Sequence, residues 1–182
     1  WTGMNPLEIL KILRKGRIIE YEVKILEGDS LLEITSAFAK TGIISPEEFM
    51  DLARDRDFLA IYDIDAPSLE GYLYPDTYLI PKGMAAEEAL DIMISKMREK
   101  FSDKVIARMQ ELGMTENKVL TLASIIEKEA VIDSERELIS AVYHNRLRKN
   151  MLLQADPTAI YGVKSSKEKI TRIPEFKIKR AP

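Results

Sequence analysis

The chain has 182 residues, 46% apolar and 31% charged, with a formal net charge of −3. That is the size and makeup of one moderate or two small globular domains, and the charge gives no ground for a nucleic-acid partner. With no cysteine and one histidine, His144, the sequence excludes disulfides, thiol nucleophiles and zinc–cysteine sites, rules out a multi-histidine metal centre and argues against a Ser–His–Asp triad.

In chain order, residues 6–15 read as a helix with Leu7, Ile9, Leu10, Ile12 and Leu13 inward, capped by Asn5 or Thr2 and stopped by Gly16. Residues 18–26 (IIEYEVKIL) alternate and are rich in β-branched side chains, a strand. Ser30 with Glu33 forms a capping-box pattern for a helix ended by Gly42. Ser45, Pro46 and Glu48 open the next helix, expected to run to about Asp55. Residues 61–81, with three prolines and four tyrosines, read as loop and short strands joining two subdomains. Helices are expected over 85–101 and 103–112, with Gly113 as a stop and Thr115 capping a helix through LTLASIIEKEA. Ser134 and Glu137 match a second capping box, opening a helix to about Lys149. Residues 151–154 look extended, Asp156-Pro157-Thr158 turns into a short helix, and the last twenty residues are basic and polar without a clear period. No apolar run reaches the roughly 18–20 residues that cross a bilayer. Trp1-Thr2-Gly3-Met4 reads as a cut inside a longer polypeptide, so an anchor ahead of it stays open.

The helix over 116–130 carries two glutamates in an apolar run. At about 100° per residue, Glu127 falls between Ala123 and Leu120 inside one apolar arc, and Glu129 at that arc's margin beside Leu122 and Ile125. Glu127 is thus the carboxyl expected to lose water, and a desolvated carboxyl holds a proton and serves as a general acid. The plainer alternative is an amphipathic helix whose boundary glutamate reaches solvent or pairs with an arginine.

Three stretches, LEGYLYPDTYLIP (69–81), LTLASIIEKEA (120–130) and HNRLRKNMLLQADPTAIYG (144–162), resemble in order and spacing the MltG (YceG-like) family of endolytic murein transglycosylases, over about residues 6–162. The segment EGDSLLEITSAFAKTGI is similar to a LysM-type module. The resemblance implies an α+β protein with a LysM-like module over 1–60, a connecting segment over 61–82 and a mainly helical catalytic domain over 83–182. It implies cleavage of the MurNAc–GlcNAc bond of peptidoglycan without water, leaving 1,6-anhydro ends, with no metal or organic cofactor. It further implies a membrane anchor through an N-terminal helix absent from this chain, a catalytic part on the outer side of the cell membrane, and work alongside the wall-synthesis machinery.

The family's catalytic glutamate, taken as the first of its S-I-[IV]-E-K-E motif, falls on Glu127. For substrate binding the candidates are Gln154, Thr158, Asp156, Asn145 and Arg146, with Glu70 and Tyr74 (and Tyr78) as groove-lining residues. Each has a structural alternative: Asp156 as a helix cap, Asn145 and Arg146 as loop braces, Glu70 and the tyrosines as joints between subdomains. His144 is expected at the surface or in a supporting place. The chain departs from the family in lacking a Gly-Leu-Pro-Pro-Gly-like loop after residue 162. The rival functions are a non-catalytic glycan-binding or scaffold module, and a hydrolysing muramidase using Asp156 or Glu129 as a second carboxylate.

Overall fold

The computed structural model describes residues 3, 5–16, 18–158 and 161. The expectations for Trp1, Thr2 and the basic C-terminal stretch lie outside those residues. The chain divides into two compact units, Trp1–Ser102 and Asp103–Pro182.

The first unit holds α1 (Pro6–Lys15), β1 (Glu20–Lys24), α2 (Leu31–Ala39), α3 (Pro46–Leu52), α4 (Arg56–Ile61), β2 (Thr77–Pro81) and α5 (Ala86–Arg98). Asn5 caps α1, its side chain accepting from the Leu7 and Glu8 amides at 2.9 and 3.0 Å. The inward packing expected for α1 is not found at Leu7, Ile9 or Leu10, which are 68%, 42% and 60% exposed. β1 and β2 form a two-stranded antiparallel sheet in which Val23 faces Tyr78 and Tyr21 faces Ile80. Alternation then turns Val23, Tyr78 and Ile80 inward and Glu22, Lys24 and Leu79 outward.

The Ser30–Glu33 capping box forms as the sequence predicts, and Ser45 caps α3 with Pro46 in the first turn. α3 stops at Leu52, short of the expected end. Asp55 accepts from the Phe58 amide at 2.7 Å and so starts α4 as a separate helix. Phe38 of α2 and Phe49 of α3, both fully buried, stack with ring centroids 4.9 Å apart. α5 buries Ala86, Ala89, Leu90, Met93, Ile94 and Met97, one stripe at helical spacing. Because β2 completes the sheet begun by β1, and α5 packs on α3, residues 61–102 belong with the first unit. The boundary between units therefore falls at 102/103, after both the expected connector and α5.

The second unit holds α6 (Asp103–Leu112), α7 (Glu116–Glu129), a 3-10 turn (Asp133–Glu135) and α8 (Arg136–Arg148). Thr115 caps α7 as expected, accepting from the Lys118 amide at 3.3 Å. The Ser134–Glu137 box does not form. The 3-10 turn occupies that stretch, and Glu135 precedes α8 without a side-chain cap. α7 packs on α8 around a small core of Leu122, Ile125, Tyr143 and Ala155, with Met114, Ile126, Ile139 and Leu153 against it. Among the described residues both units are helical, with strands confined to one small sheet, an α+β fold. Among the described residues no helix is long and apolar enough to cross a membrane.

Candidate functional site

The orientation of α7 decides which glutamate is covered and which faces solvent. Its core face is set by Leu122 and Ile125, each 6% exposed. Glu129 lies four residues beyond Ile125 and seven beyond Leu122, on the same face, and is half-buried. Glu127 sits about 200° from Glu129 around the axis and is exposed.

The expected desolvation of Glu127 is thus not met, and the cause is physical. The arc that enclosed it in the sequence counted Ala130 and Val131, but α7 ends at Glu129. Ala130 leaves the helix with ψ of 119°, and Val131 is 90% exposed. Ala123, the other supposed neighbour, is exposed as well.

Glu129 opens onto a groove of about 320 Å³. Leu138, Ile139, Val142, Tyr143 and Arg146 of α8 form one wall; Gln154 and Asp156 form the other. The second wall is held by Arg146. Its main-chain carbonyl accepts from the Met151 amide at 2.9 Å, and its guanidinium donates to the Leu153 carbonyl. Asn150 and Gln154, at the two ends of that extended stretch, take left-handed backbone angles, with φ of 51° and 53°. Non-glycine residues adopt this region at a cost of order 1–3 kcal/mol, so the surrounding bonds must impose it. Gln154 and Asp156 line the same groove as Glu129, the last residue of α7.

Tyr143 lines the groove beside Glu129, and burial followed by the negative charge of Glu129 pushes the phenol's pKa upward. The groove therefore holds two carboxylates, a guanidinium, an amide and a phenol beside an aliphatic wall. That mixture suits a ligand with both hydroxyl-rich and apolar faces.

Of the sequence candidates, the structure brings Arg146, Gln154 and Asp156 together in the groove, with Glu129 rather than Glu127. Thr158 is not among the lining residues; its hydroxyl donates to the Ala155 carbonyl at 2.6 Å. Asn145 is exposed and accepts from Arg148, and His144 is half-buried. Glu70 and Tyr74 belong to the first unit. There the Glu70 carboxylate accepts from the Leu31 amide at 3.2 and 3.0 Å, capping α2. The Tyr74 amide donates to Met93 at 3.3 Å, and Lys100 lies 4.7 Å from its ring. Tyr78, 5% exposed, donates to the Tyr74 carbonyl at 2.6 Å. Sequence reasoning missed Leu138, Ile139, Val142 and Tyr143. Their signal was the recurrence of 138, 139, 142, 143 and 146 on one face of α8, opposite the core face of α7.

An α+β chain with a carboxyl-bearing groove in its helical part is the class these features define. More closely, the chain belongs to the YceG-like family, whose model matches residues 1–181. It is 28% identical over 184 residues to the endolytic murein transglycosylase of Bacillus subtilis (strain 168), an alignment covering 92% of this chain and 51% of the relative. To the endolytic murein transglycosylase of Streptococcus pneumoniae serotype 2 (strain D39) it is 28% identical over 186 residues, covering 88% of this chain and 34% of the relative. The chain thus spans about half or less of the length of these relatives. A crystal structure of a YceG-like protein from Listeria monocytogenes superimposes with a TM-score of 0.70 at 30% identity, covering 93% of this chain and 61% of the other.

Proposed function

We propose that this chain supplies the glycan-cutting part of an endolytic murein transglycosylase, with Glu129 as acid and then base. The observation that carries this reading is the placement of Glu129, half-buried and lining a groove with Tyr143, Arg146, Gln154 and Asp156. The names of the bacterial relatives support the substrate class.

The chemistry needs one carboxyl. Protonated Glu129 donates to the glycosidic oxygen as the bond between MurNAc and GlcNAc opens through an oxocarbenium-like state. As carboxylate it then takes the proton of the 6-hydroxyl of the same muramoyl sugar. That oxygen closes on C1 and leaves a 1,6-anhydro end. The attack is intramolecular, so proximity supplies much of the acceleration and no water needs a second base. Gln154, Asp156 and Arg146 hold sugar hydroxyl and N-acetyl groups, and the Leu138–Val142 wall takes an apolar sugar face. The segment over 27–43 acts as a LysM-type module for the same strands. The protein works at the outer face of the cell membrane, anchored ahead of this chain and alongside the wall-synthesis machinery.

The test is digestion of purified wall glycan with mass spectrometry of the ends. Glu129→Gln lowers the yield of anhydro ends by about a hundredfold or more, the usual worth of a general acid, while Glu127→Gln leaves it near the parent. Full activity of Glu129→Gln refutes the assignment, and loss confined to Glu127→Gln returns the role to the first glutamate of the motif.

Asp156 in the same groove favours one second reading, a hydrolysing muramidase with two carboxylates. Reducing ends in place of anhydro ends identify it. Binding of glycan without any cleavage, by parent and variants alike, identifies a scaffold module.

A further inference from the structure

We infer that Tyr143 is a positioning residue for Glu129: its hydroxyl occupies one carboxylate oxygen and leaves the other to meet the substrate. The inference rests on the reading of Glu129 given above and goes beyond it to the group that aims the carboxyl.

Three observations converge on it. Tyr143 is 6% exposed and belongs to the small core with Leu122, Ile125 and Ala155, so its ring is gripped by α7 and by the stretch that carries Gln154. A phenol has only two side-chain torsions, and burial in that core restricts them. Both Tyr143 and Glu129 line the groove, and the negative charge of Glu129 acts on the phenol.

The consequence follows from donor and acceptor counting. A carboxylate has no proton to give, so the phenol donates. When Glu129 takes up its proton, the oxygen already accepting from Tyr143 is the poorer place for it. The proton therefore sits on the other oxygen, the one left for the glycosidic bond. A tyrosine buried beside a negative charge resists ionisation, so the donor persists through the range in which carboxyls titrate. The charged groups that face Tyr143 are Glu129 from α7, Arg146 from its own helix and Asp156 from the opposite wall; Arg146 favours the phenolate while the two carboxylates oppose it.

Two measurements test this, one without any turnover. With 13C-labelled tyrosine, the ring signal of Tyr143, assigned by its loss in Tyr143→Phe, titrates above the ordinary tyrosine value in the parent. It falls toward that value in Glu129→Gln, and falls less in Asp156→Asn. An unmoved signal in Glu129→Gln, or a larger movement in Asp156→Asn, overturns the pairing. In glycan digestion, Tyr143→Phe lowers kcat about tenfold with KM within about twofold, the effect of one hydrogen bond to a charged group realised in the chemical step. Parent-like kcat in Tyr143→Phe, or a loss that appears only in KM, overturns the positioning role. If the parent yields no anhydro ends, the catalytic reading of Glu129 falls, and the ring titration still decides the pairing by itself.

Discussion

Replacing Glu70 with alanine separates a stabilising role from a binding one. Ser30 and Glu33 satisfy each other's amides in the capping box of α2, which leaves the Leu31 amide in the first turn. The Glu70 carboxylate supplies that missing acceptor, at 3.2 and 3.0 Å, from 39 residues away. A hydrogen bond to a charged group contributes roughly 1.5–3 kcal/mol, and a negative charge at a helix N-terminus adds about 0.3–1 kcal/mol. Glu70 is half-buried, so the lower ends apply and the loss is about 2 kcal/mol. For a unit of about 100 residues this lowers the melting temperature by roughly 10 °C. Glu70→Gln keeps a neutral acceptor and loses about half as much. Circular dichroism during heating measures the shift, and hydrogen exchange at the Leu31 amide localises it. The reasoning is refuted if Glu70→Ala melts with the parent, Leu31 exchange is unchanged and binding to wall glycan is lost. That pattern makes Glu70 a ligand.

Two further outcomes follow from the same unit. Phe49→Ala removes a fully buried ring and its stacking on Phe38 across 4.9 Å; it costs about 3–5 kcal/mol in urea unfolding, and a double-mutant cycle with Phe38→Ala returns a coupling of about 0.5–1.5 kcal/mol. Stability falls at alkaline pH: burial and the Asp91 carboxylate raise the Tyr62 pKa to about 12, and burial raises Tyr78 further. Between pH 10 and 12 the unfolded chain releases these protons while the folded chain keeps them, so the stability present below pH 10 is lost as pH rises. Tyr62→Phe flattens that part of a pH series of melting temperatures, and an unchanged slope contradicts it.

The local signals in the sequence translated directly into structure. Asn5, Ser30, Ser45 and Thr115 cap their helices because each is a short polar side chain placed before an apolar period. The failures came where two local options competed for the same residues. Asp55 was read as the tail of α3, but its side chain accepts from Phe58 and begins a new helix. Ser134 had a capping pattern, and a 3-10 turn took its place. Of the polar residues the sequence singles out, Arg146, Gln154 and Asp156 line one groove, while Thr158 and Glu70 spend their polar atoms on backbone groups. The exposure of Glu127 and the half-burial of Glu129 show the limit of a helical wheel. Two residues past the end of α7 were enough to rotate the apparent apolar face, and only α8 reveals which side of α7 is covered.

The sheet of the first unit has a practical corollary. Its strands are joined by main-chain bonds although more than fifty positions separate Glu20 from its partner Pro81. A fragment trimmed at residue 60 would keep β1 and discard β2. Its amide and carbonyl groups would then be bare along a β-rich ribbon, a template for sticking to other molecules. Anyone wishing to express the first unit alone should carry the chain through α5.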